Sequence, residues 1–186
     1  MSKFLKTIEI PSNGGSYHSF NRDYHLVDSS TKVIIVGTIT SPQGRGDNRN
    51  FYYMSPYNPM YRILDKYFLS IGEESSFVSN KKIGNINGLI KELKEKKIAF
   101  LDVIQSCNNP NNSTLDDDLT DIRLDYEAFK DIDNSVVVIA NSNNAYQALL
   151  KIVDKNKLEN EIKLVYGFRF YKQEDWNVTL NFYLSK

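Results

Sequence analysis

The sequence predicts an α/β fold, a three-layer sandwich in which a mainly parallel central sheet carries helices on both faces. Three observations lead there. The runs KVIIVGT (32–38), IAFLDVI (98–104) and SVVVIAN (135–141) are mostly apolar, rich in β-branched residues and do not alternate. Strands buried on both faces read this way, whereas half-exposed strands alternate. Helical periodicity fills the intervals between the runs. A long polar loop follows the first run, and open parallel sheets hold their ligand crevice beyond the carboxyl ends of the strands.

In chain order, residues 32–38 form the first buried strand. Residues 58–72 form a helix: Met60, Ile63, Leu64 and Tyr67 share a face, Pro59 suits the first turn and Gly72 stops it. Residues 86–97 form a second amphipathic helix through Leu89, Ile90 and Leu93. The strand at 98–104 follows, then a short helix over 124–132 and the strand at 135–141. Residues 142–155 form a helix capped by Asn141 or Ser142. The segments 161–167 and 177–185 read as later strands. With no internal repeat or linker, residues 1–186 are expected to form one domain.

Lys+Arg and Asp+Glu both number 23, so the formal net charge is zero and no global basic excess marks a nucleic-acid binder. A local basic patch remains compatible with that balance. The lone Cys107 cannot form an internal disulfide and fits a reducing, cytoplasmic setting, as a small packed residue. The first residues lack the apolar run of a signal peptide, and no segment reaches the length of a membrane span, so no membrane partner is expected. His18 and His25 have no Cys or His partners at ligand spacing, so the expectation is no metal and no cofactor.

The loop GTITSPQGRGDNRNFYYMSPYNP matches neither GxGxxG nor GxxxxGK[ST], which argues against a dinucleotide or triphosphate site. Roughly twenty residues without regular structure are unusual in a compact domain and point to function. Tyr52 and Tyr53, beside Arg45, Arg49 and Arg62, read in two ways. They stack a base while the arginines hold phosphate, or they pack the loop onto the core. Asp116 to Asp118 read as a solvated turn.

These segments resemble the uracil-DNA glycosylase superfamily, and within it the hypoxanthine-DNA glycosylase-like branch. VIIVGT followed by Ser41-Pro42 is similar to the branch's strand and loop. Tyr52, Tyr53, Pro56, Asn58, Arg62, Ile63 and Leu64 match its second motif. Asp102, Val103, Ile104, Ser106 and Cys107, then Ser113 or Thr114 with Asp116, resemble the next block. Asn141 and the helix through Tyr146 resemble the strand–Asn–helix unit. The likeness runs from about residue 32 to about residue 150. The superfamily's late DNA-gripping loop follows its last core strand. With 177–185 as that strand, Ser185 and Lys186 fall where this loop would begin.

The resemblance implies a DNA glycosylase that removes a deaminated base, uracil or hypoxanthine, by hydrolysis of the N-glycosidic bond. Such chemistry needs a group that places water on the sugar, donors for the base's carbonyl and an aromatic against the flipped base. It implies Asn58 and Asp102 as catalytic residues, and Thr38, Tyr52, Tyr53 and Asn141 against the base. Arg45, Arg49 and Arg62 would meet phosphate. Each has a plainer reading: Asn58 and Asn141 as helix caps, Asp102 as a turn cap, the tyrosines as core. The partner expected is DNA, a nucleobase or a nucleotide, with no obligate protein partner. The alternative is a non-catalytic nucleotide or nucleic-acid binding protein on the same fold.

Overall fold

The structure is a computed structural model and describes residues 15–39, 51–55, 57–109, 118–167 and 170–185. Arg45, Arg49, Pro56, Ser113, Thr114, Asp116 and Lys186 lie outside the described residues.

The three apolar runs lie side by side, as their lack of alternation predicts. Strand β1 (Gly15–His18) precedes β2 (Val33–Gly37), in which all five residues are buried. Helices α1 (Met60–Ser70), α2 (Phe77–Lys82) and α3 (Ile86–Glu95) lead to β3 (Ile98–Asp102), β4 (Ile104–Asn109) and β5 (Thr120–Leu124). A 3-10 turn at Glu127–Phe129 precedes β6 (Val137–Ala140), then come α4 (Asn143–Asn156), β7 (Ile162–Leu164) and α5 (Gln173–Leu184). The main sheet has the order β3-β2-β6-β7, and each neighbouring pair is parallel. Its order moves one way from β2 to β3 and the other way from β6 to β7. Right-handed crossovers therefore carry α1–α3 and α4 over opposite faces. Helix α5 packs on α1 and β2.

Register sets where the strand ends meet. Gly37 pairs with Asp102, and Val36 pairs with Ala140. Asn141 continues the ladder by donating its N–H to the Val36 carbonyl (3.0 Å). Val165 donates to the Ala140 carbonyl (3.0 Å), and Gly167 donates to the Asn141 carbonyl (2.9 Å). The carboxyl ends of β2, β3, β6 and β7 thus finish along one edge.

Several expectations are corrected. The run 98–104 is two strands, not one. Val103 and Ile104 donate to the carbonyls of Gly37 and Thr38 (both 2.9 Å). The chain then leaves the main sheet, and β4 becomes the centre of a three-stranded antiparallel sheet, β1-β4-β5. Residues 177–184 are helical, not a strand: Trp176 and Leu180 lie on the buried face while Val178 and Phe182 are exposed. Glu174 and Asp175 in the first turn suit a helix start. The segment after the last described strand is therefore 165–172, not 185–186. Helix α2 has no counterpart in the sequence reading, and the short helix expected over 124–132 is only the 3-10 turn.

Aromatic rings hold residues 51–53 on the core. Phe51 and Tyr52 are fully buried, and Tyr52, Tyr53 and Tyr61 all contact the ring of Phe100 at centroid distances of 6.0, 4.8 and 5.9 Å. Such pairs each contribute about 0.5–1.5 kcal/mol beyond their buried area. That anchoring offsets the left-handed backbone of Tyr53 (φ 55°), which costs a non-glycine residue about 1–2 kcal/mol.

Candidate active site

The site forms where the strand ends converge over Gly37. A Cβ there would lie 3.1 Å from the Tyr53 hydroxyl and 3.3 Å from Asp102 Oδ1. The phenol and the carboxylate thus approach one point above a residue that has no side chain to block them. Asn141 Nδ2 donates to the Tyr53 hydroxyl (2.9 Å). Carboxylate, phenol and carboxamide come from three different segments and meet over Gly37.

Asn141 reaches this point because Ser142 takes the capping role. Its hydroxyl oxygen accepts the Ala145 N–H (3.1 Å) at the start of α4, which leaves the Asn141 side chain to face Tyr53. Gly167 closes the same corner. A Cβ on it would lie 3.0 Å from Met60 Cε and 3.1 Å from Asn141 Cβ, so the loop after β7 touches both Asn141 and the first turn of α1. Thr38 is half-buried at the end of β2, beside this cluster.

Asp102 is 1% exposed, and its backbone is gripped by Asn21. Asn21 Nδ2 donates to the Asp102 carbonyl (2.8 Å), while Asn21 Oδ1 accepts the Asp102 N–H (2.9 Å). The same side chain donates to Asp125 Oδ2 (2.9 Å) and accepts the Tyr52 hydroxyl (2.7 Å). Its donors and lone pairs are all engaged, and on the open edge of β3 it replaces a neighbouring strand. Burial, then the negative charge of Asp102, hold the Tyr53 phenol well above its ordinary range. Tyr53 therefore stays protonated, a neutral donor and acceptor beside a carboxylate.

The remaining expected residues separate. Tyr52 lies in the core with no exposed surface, and its hydroxyl donates to Asn21 Oδ1 (2.7 Å). Asn58 takes its capping role: its Oδ1 accepts the Met60 N–H (2.9 Å) ahead of α1. Arg62 is exposed one turn into α1, close enough to Lys81 that the two cations repel. The sequence reading missed Asn21, Lys81 and the loop after β7. That loop exposes Tyr166 and Phe170 (37% and 67%) in an edge-on pair with ring centroids 5.6 Å apart. Its backbone is fixed by the Trp176 indole N–H, which donates to the Tyr166 carbonyl (3.0 Å). Among the described residues, no group of three His, Cys, Asp or Glu side chains could hold a metal ion. No helix among them is long and apolar enough to cross a membrane.

Fold and cluster together define an α/β protein with its polar site at the carboxyl ends of a parallel sheet. No protein-family model and no curated protein matches the chain. Among solved structures it is similar to the solution NMR structure of "a putative Uracil DNA glycosylase from Methanosarcina acetivorans". The TM-score is 0.59 at 20% identity, over 87% of this chain and 95% of that one. The chain thus has a uracil-DNA glycosylase-like fold.

Proposed function

We propose that this protein is a DNA base glycosylase that removes a deaminated base, uracil or hypoxanthine, by hydrolysing its N-glycosidic bond. The observation that carries the reading is the meeting of Asp102, Tyr53 and Asn141 over Gly37. The fold's likeness to the Methanosarcina protein supports it.

Cleavage develops positive charge on the sugar and negative charge on the departing base. The Asp102 carboxylate, on a backbone held by Asn21, faces the developing cation and orients the water that attacks the anomeric carbon. The Asn141 carboxamide and the Tyr53 hydroxyl serve the carbonyl and ring N–H edge shared by uracil and hypoxanthine. Thr38 lies beside the same edge. Asn58 acts through the helix it caps rather than on water. Arg62 remains a phosphate contact in this reading, together with Arg45 and Arg49. The exposed pair Tyr166 and Phe170 meets neighbouring bases, since any base can stack on an aromatic ring.

The direct test uses single-stranded and duplex oligonucleotides carrying uracil, hypoxanthine or xanthine, followed by alkaline cleavage. Strand breaks at uracil or hypoxanthine, strongest in single strands where no unstacking energy is required, support the proposal. The neutral charge balance favours a second reading, a protein that binds nucleotide or nucleic acid without cutting it. Folded protein that binds these oligonucleotides and cleaves none of them establishes that second reading.

A further inference from the structure

Helix α2 is short, and of its six residues only Phe77 is fully buried. It is nonetheless bolted down at its start by two carboxylates. Asp65 on α1 accepts the Ser75 hydroxyl and the N–H groups of Phe77 and Val78 (both 2.9 Å). Glu92 on α3 is 7% exposed and accepts the Ser76 N–H (2.6 Å), the Ser75 and Ser76 hydroxyls and the Asn80 amide. Two neighbouring helices thus fix the direction of α2, far beyond what one buried phenylalanine requires.

The end of that bracket is Lys81. Its Nζ donates to the Ser55 carbonyl (2.7 Å) and to the Asn58 carbonyl (3.0 Å). The Asn58 N–H also donates to the Ser55 carbonyl (2.9 Å), closing the turn that leads from Tyr53 into α1. One ammonium therefore grips both ends of this turn, with the Tyr61 ring 5.7 Å away. Charge-assisted bonds of this kind are stronger than neutral ones. Burial, then the charge of Arg62, lower the ammonium to about 8, so it still carries its charge at neutral pH.

We infer that Lys81 is a positioning residue: through α2 it locks the 55–58 turn and so sets where Tyr53 stands against Asp102 and Asn141. Its effect on catalysis rests on the glycosylase reading, but its effect on the turn does not. Amide hydrogen exchange, resolved by residue, reads the turn directly in Lys81→Met, Lys81→Gln and wild type. The expected result is a loss of about tenfold or more in protection at the Asn58 amide, with β2 and β3 unchanged and with recovery in Lys81→Arg. In the excision assay the Met variant should lose about tenfold in kcat with KM held, since Lys81 touches no substrate. Unchanged protection at Asn58 overturns the inference. So does a loss spread equally over β2 and β3, which would make Lys81 a support of the fold at large. Wild-type protein that cuts no substrate sinks the glycosylase reading, while the exchange result still decides the role of Lys81.

Discussion

Gly37 matters to the candidate site because the Tyr53 hydroxyl and Asp102 Oδ1 crowd the space its side chain would take. In Gly37→Ala the Tyr53 hydroxyl and the Asp102 carboxylate, 3.1 and 3.3 Å from the added methyl, must both give way. Overpacking of this kind costs about 1–3 kcal/mol. Displacing catalytic groups by a fraction of an ångström costs roughly 10- to 100-fold in rate. Urea unfolding and single-turnover excision should therefore show modest destabilisation with a disproportionate loss of activity; full activity would remove Gly37 from the account. Asn58 has the opposite profile. Its Oδ1 caps α1, so Asn58→Ala should lower stability by about 1 kcal/mol and leave the excision rate of the folded protein intact. Abolished excision in a stable Asn58→Ala protein would restore Asn58 as a catalytic residue.

Among the elements, α5 decides how the far side of the site is built. Trp176 is fully buried, and its indole N–H holds the Tyr166 carbonyl in the loop after β7. Trp176→Phe keeps most of the apolar volume and loses that bond. It should cost about 1 kcal/mol and weaken binding of single-stranded DNA by freeing Tyr166 and Phe170. Trp176→Ala should cost about 3–5 kcal/mol. Unchanged binding by a folded Trp176→Phe protein would exclude the loop from the interface. The sequence hid this helix for a physical reason. Trp176, Val178, Leu180, Phe182 and Leu184 alternate like a strand, and only tertiary packing buries Trp176 and Leu180 while exposing Val178 and Phe182. The break at Val103 was equally hidden, since Val103 and Ile104 carry the apolar run on past Asp102 and the split is made by long-range pairing. Strands β2, β3 and β6 were legible because a buried parallel strand needs no partner to look apolar. Asp102 and Asn141 were legible as residues at strand ends, and Tyr53 as an aromatic of the loop that follows β2. Asn21 and Lys81 were not, because their roles arise from contacts with Asp102 and the 55–58 turn that spacing does not encode.

At the scale of the whole molecule, the buried ionisable groups set the alkaline stability profile. Lys81 titrates at about 8 in the folded protein and near 10.5 when unfolded. Between those values the unfolded chain binds more protons, so stability rises with pH across that window. Tyr52, Tyr53 and Tyr61 are held well above 10 by burial. Above pH 10 the unfolded chain loses phenolic protons that the folded protein keeps, and stability falls. The urea midpoint should therefore rise above pH 8 and then drop as tyrosinate absorbance appears with unfolding; Lys81→Met should lack the rise. A wild-type midpoint that is flat from pH 8 to 10 would contradict this. The same parallel sheet that buries these groups brings Asp102, Tyr53 and Asn141 together, and the central claim is that this point is where a deaminated base is cut from DNA. The most direct measurement is single-turnover excision of uracil and hypoxanthine from single-stranded oligonucleotides by wild type and Asp102→Asn, with the fold of each verified by its urea transition. The account predicts cleavage by wild type and a loss of roughly 100- to 10,000-fold in the folded variant. Equal rates in the two proteins, or no cleavage by folded wild type, would contradict it.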